Sequence, residues 1–320
     1  MNEIDITLFL QQFAGFAPVM YLLSFLGQEE FYIVLIPLVY FVFSRTLGIR
    51  MLMLLLISTG LNILLKLAFH MPRPYWVDPR VQAFATELTY GMPSGHAEIS
   101  AAIGFLLAFT LRKPRITILI GVLVFLVGVS RVFLGVHFAS DVLVGWVLGV
   151  LTAWLFVSIA PSVERWLMRS QVHLALGAGG VAALGLICIG LLVQASIAPS
   201  QDPQAWAQYN QDARRLNEVG TVAGLLIGSV IAYGMVKQPL FIDDKMLYRL
   251  VAMPTVKPLS QQTRWVQFVI SVLGGFVLWL GLRAIFPRDP ELLGLLFRVL
   301  RYALVALWML WLTPRLIKRK

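Results

Sequence analysis

Apolar residues in this chain come in long unbroken runs, and the polar residues gather between them. About 20 apolar residues of helix are needed to cross the hydrocarbon core of a bilayer. On that length the chain divides into about nine spans, near 29–45, 50–69, 96–111, 116–134, 139–159, 173–195, 219–236, 265–285 and 293–312. The pattern predicts an all-α, polytopic membrane helical bundle. The runs 29–45 and 96–111 are short, so their ends are the least defined. Ahead of them lies "ITLFLQQFAGFAPVMYLLSFLG", which is interrupted by Gln11, Gln12, Gly15 and Pro18. Those interruptions suit a shallow helix lying in the membrane interface better than a crossing.

Composition supports this reading. Of the 320 residues 59% are hydrophobic and only 13% charged, where a soluble domain keeps roughly a quarter of its residues charged. The net charge of +10 raises the question of nucleic acid. No basic block is long and none is interleaved with aromatics as a stacking surface is, so no nucleic-acid partner is expected. The excess reads instead as topological. Arg45 and Arg50; Arg112, Lys113 and Arg115; Arg165 and Arg169; Lys237, Lys245, Arg249, Lys257 and Arg264; and Arg315, Lys318, Arg319 and Lys320 fall on one set of loops. That set is expected in the cytoplasm, with the N-terminus outside and the C-terminus inside.

Glu3 and Asp5 stand where a signal peptide has basic residues, so no removable signal is expected. A single cysteine, Cys188, excludes an internal disulfide framework. The chain has no Asn-x-Ser/Thr acceptor, which is compatible with a bacterial inner membrane. Oligomeric state leaves no mark in the sequence.

Three short segments at span ends carry the candidate chemistry. "KLAFHMPRP" places Lys66 and Arg73 seven residues apart, close to two helical turns, where Pro72 and Pro74 end the span. "PSGH" contains Ser94, Gly95 and His96, and "SRVFLGVHFASD" contains Arg131, His137 and Asp141. All three face one side on the topology above, opposite the cytoplasm. Every residue of interest precedes Pro161. The expected organisation is therefore a core over 1–161, with an interfacial helix and five spans, and a further region of four spans over 162–320.

The order Lys-x6-Arg-Pro, Pro-Ser-Gly-His, Ser-Arg-x5-His-x3-Asp resembles the signature of the type 2 phosphatidic acid phosphatase superfamily, which includes lipid phosphatases, glucose-6-phosphatase and vanadium haloperoxidases. "RPYW" after the first motif, the span count and "VGTVAGLLIG" near residue 219 are similar to the glucose-6-phosphatase and sphingosine-phosphate phosphatase branch. The resemblance implies a membrane phosphatase acting on phosphatidic acid, phosphatidylglycerol phosphate, undecaprenyl pyrophosphate, sphingosine phosphate or a sugar phosphate. It also implies that His137 forms a phosphohistidine, which water hydrolyses with His96 as base.

The residue types fit such chemistry. A phosphate monoester repels nucleophiles, so a site must neutralise its oxygens increasingly as the transition state forms. Lys66, Arg73 and Arg131 supply fixed positive charge, and an arginine fork holds two oxygens at once. The backbone N–H groups of Ser94 and Gly95, at the start of a span, are expected to point at the anion. His137 must be neutral to attack, and Asp141, one turn further on, can accept its Nδ1–H and leave Nε2 free. His96 must hold a proton for the departing oxygen.

No metal or other cofactor is expected, since nearby cations repel a divalent ion and no second carboxylate or cysteine completes a ligand set. Glu98 faces away from His96 and reads as structural. Trp76, Trp308 and Trp311 suit interfacial belts. Gly220, Gly224 and Gly228 recur every four residues and read as a close helix contact. Arg298 and Arg301 fall in the last apolar run. They are accommodated if that span begins near Val299 with "ELLGLLFR" on the surface, and otherwise they offer a second anion contact.

The reading is a metal-independent phosphatase hydrolysing a lipid phosphate or pyrophosphate on the non-cytoplasmic, periplasmic face, among membrane lipids. Its alternatives are a phosphotransferase passing the phosphoryl group to another lipid, and a transporter or lipid-binding protein on the same fold.

Overall fold

A backbone in hydrocarbon must satisfy its hydrogen bonds within itself, and every regular element among the described residues is helical. The computed structural model describes residues 2–197, 203–236, 259–287 and 291–316. In chain order the helices are α1 (Glu3–Gln11), α2 (Ala17–Phe25), α3 (Glu29–Leu38), α4 (Arg45–Phe69), α5 (Pro74–Val77), α6 (Gly95–Leu111), α7 (Pro114–Phe133), α8 (Ala139–Arg169), α9 (Val172–Ser196), α10 (Ala207–Ala213), α11 (Asn217–Val236), α12 (Gln261–Ile285), α13 (Glu291–Leu307) and α14 (Thr313–Leu316). The lysines and arginines expected on the cytoplasmic side in 237–258 and 317–320 lie outside the described residues.

Among the described residues seven helices are long and apolar enough to cross a membrane, or eight if the bent pair α1–α2 is one span. This is an integral membrane protein. The difference from nine has local causes. The run 29–45 divides into the 10-residue α3, with Pro37 inside it, and a π-helical turn at Val39–Phe43. Helix α6 has 17 residues, the lower limit for a crossing.

The described helices form two compact units, one of Met1–Phe31, Ile57–Ile159 and Cys188–Leu216, the other of Tyr32–Leu56, Ala160–Ile187 and Asn217–Lys320. In the first unit α2 and α6 both pack on α7. Helices α6 and α8 approach closely because α8 presents glycines: a β-carbon at Gly145 would lie 2.6 Å from the Ser94 carbonyl oxygen, and one at Gly149 would lie 2.2 Å from that of Glu98. Helices α1 and α2 meet at a 77° bend. Gln11 at that bend donates to the Gln82 and Phe133 carbonyl oxygens at 2.8 and 3.0 Å, so it is a tertiary contact and not merely a break in an apolar run.

In the second unit the glycine stripe of α11 does what its spacing predicts. β-Carbons at Gly224 and Gly228 would come within 2.4 Å and 2.3 Å of the Val299 and Ala303 carbonyl oxygens of α13. Helix α13 is continuous through Arg298 and Arg301. No Gly or Pro follows Gly294 within the helix to interrupt it, so "ELLGLLFR" and the residues after it form one helix. Trp308 is not simply an interfacial anchor. Its indole donates to the Ser271 carbonyl oxygen at 3.1 Å, and a β-carbon at Gly274 would lie 2.1 Å from its ring.

Candidate active site

Local chemistry sets each functional side chain at a helix end in the first unit. Helix α4 stops at Phe69, where His70 takes a left-handed φ of 37° and donates its amide to the Lys66 carbonyl oxygen at 2.9 Å. The following prolines hold the chain extended, with Arg73 at φ −99° and ψ 157° ahead of Pro74. Helix α6 starts at Gly95 with Ser94 as its N-cap residue. Helix α7 ends at Phe133 just after Arg131, and a turn through Gly135, at φ 75°, delivers His137 to the start of α8. A β-carbon at Gly135 would also meet the Gln82 carbonyl oxygen at 2.6 Å, so glycine is required there on both counts.

These ends bring the predicted residues together. Lys66, Arg73, Ser94, Arg131, His137 and Asp141 are all buried, Arg73 being 1% exposed. The Lys66 ammonium donates to the carbonyl oxygens of Tyr90 and Gly91 at 2.5 and 3.1 Å. The Arg73 guanidinium donates to Thr89 O at 2.6 Å, Val136 O at 2.7 Å, Thr89 Oγ1 at 2.9 Å and Tyr90 O at 3.0 Å. Its Nη1 lies 3.2 Å from His137 Nε2. On the other side of the ring His137 Nδ1 is 3.2 Å from Asp141 Oδ2, which also accepts the Phe138 amide at 2.9 Å.

This arrangement selects the tautomer. Guanidinium nitrogen can only donate, so Nε2 must accept, and the ring proton sits on Nδ1 facing the carboxylate. Burial, then the charges of Arg73 and Lys66, push the His137 pKa well below the usual imidazole range. The ring is neutral with its lone pair on Nε2, the form a nucleophile needs.

His96, on the first turn of α6, is partly buried, and its Nε2 has no hydrogen-bond partner among the described residues. Ser94 departs from expectation. Its amide donates to the Asp141 carbonyl oxygen at 3.0 Å and is not free for an anion. Its hydroxyl is buried without a partner among the described residues and is the group left to donate. Gly95 lies against Asn62, whose Oδ1 would be 3.1 Å from a β-carbon there.

Several contributors have no motif to announce them. Glu87, from the loop between α5 and α6, pairs with the buried Arg131, whose other terminal nitrogen donates to Ser24 Oγ at 2.5 Å. Burial raises the Glu87 pKa, but Arg131 and Arg73 outweigh it and bring the carboxyl down to about 2. Glu98 is structural, as expected. It is fully buried and accepts from Ser58 Oγ and Asn62 Nδ2, both at 2.8 Å, tying α6 to α4. Ser58, Asn62 and Lys66 recur every four residues, a polar stripe in an apolar run that could have revealed this contact from sequence. Glu3 of α1 accepts from the Ser140 amide and hydroxyl at 3.2 and 2.9 Å, at the start of α8.

Trp76 also differs from expectation. It is 5% exposed and stacked on Tyr209 at 4.9 Å with the rings 6° apart, so it is a buried ring and not a lipid-facing belt residue.

A buried imidazole thus has a carboxylate on one nitrogen and an arginine on the other, at the ends of apolar helices. The chain belongs to the PAP2 superfamily: residues 47–165 match the PAP2 superfamily model, and residues 217–320 match the model of the PAP2 superfamily phosphatase transmembrane extension. It is 34% identical over 160 residues to phosphatidylglycerophosphatase B of Bacillus subtilis, covering 45% of this chain and 75% of that one. It is 32% identical over 152 residues to undecaprenyl-diphosphatase of Sulfolobus acidocaldarius, covering 46% and 72%. A longer match, 26% identical over 329 residues, is to glucose-6-phosphatase 3 of Bos taurus, with 92% of this chain and 88% of that one covered.

Proposed function

We propose that this phosphatase hydrolyses a lipid phosphate or pyrophosphate through a phosphohistidine on His137, without a metal, on the non-cytoplasmic face of the membrane. The observation that carries the reading is the pairing of His137 with Asp141 at Nδ1 and Arg73 at Nε2, at 3.2 Å each. All five N–H groups of Arg73 are engaged, so a phosphate takes over the Nη1–H that now faces His137, which leaves the Nε2 lone pair free beside its phosphorus.

In the first half-reaction Nε2 attacks phosphorus, the P–O bond to the lipid breaks, and His96 gives its proton to the departing oxygen. Lys66, Arg73, Arg131 and the Ser94 hydroxyl take the charge growing on the other oxygens. In the second, water attacks phosphorus, His96 takes its proton, the P–N bond breaks, and neutral His137 returns. Asp141 stabilises the charge the ring carries while phosphorylated. The core that performs this is assigned to 1–161, with 162–320 as an additional membrane region. The names of the relatives, a phosphatidylglycerophosphatase and an undecaprenyl-diphosphatase, support an isoprenoid or glycerolipid substrate.

The test is phosphate release from a panel of lipid phosphates and pyrophosphates by purified protein in EDTA, together with trapping of an acid-labile phosphoryl label. Wild-type protein is expected to be active and labelled, and His137→Ala to be neither. Release that persists in His137→Ala overturns the nucleophile, and a requirement for added metal overturns the metal-free reading. Sealed vesicles with substrate supplied from one side test the face.

A further inference from the structure

The second unit contains a cluster of arginines that the phosphatase chemistry does not use. Arg298 and Arg301 both lie near the Tyr302 ring in α13, their guanidinium carbons 5.8 and 5.0 Å from its centroid. Arg283, near the end of α12, lies 5.8 Å from the Trp279 ring, whose indole donates to the Tyr302 hydroxyl at 3.0 Å. Tyr302 is 2% exposed, so the rings form a fixed wall beneath the guanidinium groups. Arg301 also lies in the field of both Arg298 and Arg283.

Among the described residues the acid paired with this charge is Glu218. Arg298 donates from Nε to Thr221 Oγ1 at 2.8 Å and is 3.5 Å from the Glu218 carboxylate, a long contact to a partly exposed group. The Arg301 side chain interacts with Tyr302, while its Nε is buried and has no hydrogen-bond partner among the described residues. Both arginines stand inside a helix that is apolar and long enough to cross the membrane, Glu291–Leu316. At about 1.5 Å per residue, Arg298 and Arg301 lie about 10 and 15 Å along it from Glu291. Cationic groups within so apolar a helix are costly unless something neutralises them, and the planar donor fork of arginine matches phosphate oxygens.

We propose that Arg298, Arg301 and Arg283 form a second anion site, separate from the catalytic set, that takes a phosphate group: the phosphodiester of an anionic lipid or free orthophosphate. Tyr302 and Trp279 hold the guanidinium planes, Thr221 orients Arg298, and Arg301 Nε supplies the unfilled donor. The site needs no catalysis and adds nothing to the bond-breaking step. It gives the second unit a binding function of its own.

Native mass spectrometry of the purified full chain in detergent tests this, with phosphatidylglycerol, phosphatidylcholine and orthophosphate as probes. The wild type is expected to retain phosphatidylglycerol over phosphatidylcholine. Arg301→Gln and Arg298→Gln should each weaken that retention about tenfold, the loss of one charge-assisted hydrogen bond, while phosphate release from substrate is kept. If orthophosphate binds and is lost in the variants while lipid retention is unchanged, the proposal stands with the free anion as ligand. Equal retention of both probes in wild type and both variants overturns it. Should the glutamine variants fail to fold, Arg301→Lys serves, because it keeps the charge and deletes the Nε donor; weaker retention supports the site and unchanged retention overturns it.

Discussion

The Arg131 guanidinium is ion-paired with the Glu87 carboxylate inside the cationic pocket. Arg131 is 2% exposed and Glu87 31% exposed at the side chain, so the arginine is fixed and the acid reaches in from the loop. A phosphate that uses Arg131 must share it with this carboxylate or displace it. Glu87→Gln therefore removes a resident competitor. Inhibition by inorganic phosphate is expected to tighten about tenfold in the variant, the equivalent of one charge-assisted contact. The check is the inhibition constant measured against phosphate release; a value unchanged from wild type means that Glu87 does not contend with the product.

The same pair makes stability depend on pH. The Glu87 carboxyl ordinarily titrates near 4.5 and is held at about 2 in the folded chain. Above 4.5 both folded and unfolded chains carry the charge, and the ion pair contributes in full. As pH falls from 4.5 towards 2, the unfolded chain takes up the proton first, and the contribution is lost. The thermal midpoint in detergent should fall across that window, and Glu87→Gln should flatten the fall. An identical acid dependence in the two proteins would count against the pair as a source of stability.

Much of the site was legible because its chemistry is tied to helix ends. Lys66 and Arg73 are fixed by a span that must stop at prolines, and His137 and Asp141 by one turn of helix, so spacing alone relates them. Glu87 was not legible. It sits in a loop, where neither a period of 3.6 nor hydropathy relates it to Arg131, 44 residues away. The Ser94 amide was misjudged because a helix N-terminus offers free N–H groups only if no neighbouring chain accepts them, and here the Asp141 carbonyl oxygen does. The contacts of Arg298 and Arg301 were not legible either, because the Thr221 hydroxyl and the Tyr302 ring that meet them come from pairings that hydropathy does not encode.

Asp141→Asn tests the carboxylate charge behind His137. Asp141 Oδ2 accepts both from the Phe138 amide and from His137 Nδ1. Both contacts reach one oxygen, so an amide oriented to keep the first also keeps an acceptor on Nδ1–H, and what the variant removes is the negative charge that stabilises the phosphorylated ring. The cations are untouched, so KM should hold while kcat falls by about 10² to 10⁴, the range for losing a positioned base or its orienting acid. A rise in KM at unchanged kcat would place Asp141 in substrate binding instead.

Packing beneath the site gives the last prediction. Gly145 of α8 lies against the first turn of α6, where an added β-carbon would stand 2.6 Å from the Ser94 carbonyl oxygen and 3.1 Å from Ala97 Cβ. The nearer atom is backbone and cannot rotate away, so Gly145→Ala must push the start of α6 outward, carrying Ser94 and His96 with it. Catalytic groups displaced by about 1 Å can cost about 10² in rate. The variant should therefore lose kcat although it changes no functional side chain. Gly121→Ala is the matched control: it lies on α7 with nothing within 4 Å of an added β-carbon. There alanine should leave the rate unchanged and favour the helix by about 1 kcal/mol. Rates that fall equally in both variants would locate the effect in helix stability generally, and full activity in Gly145→Ala would mean that the α6–α8 contact does not set the position of His96.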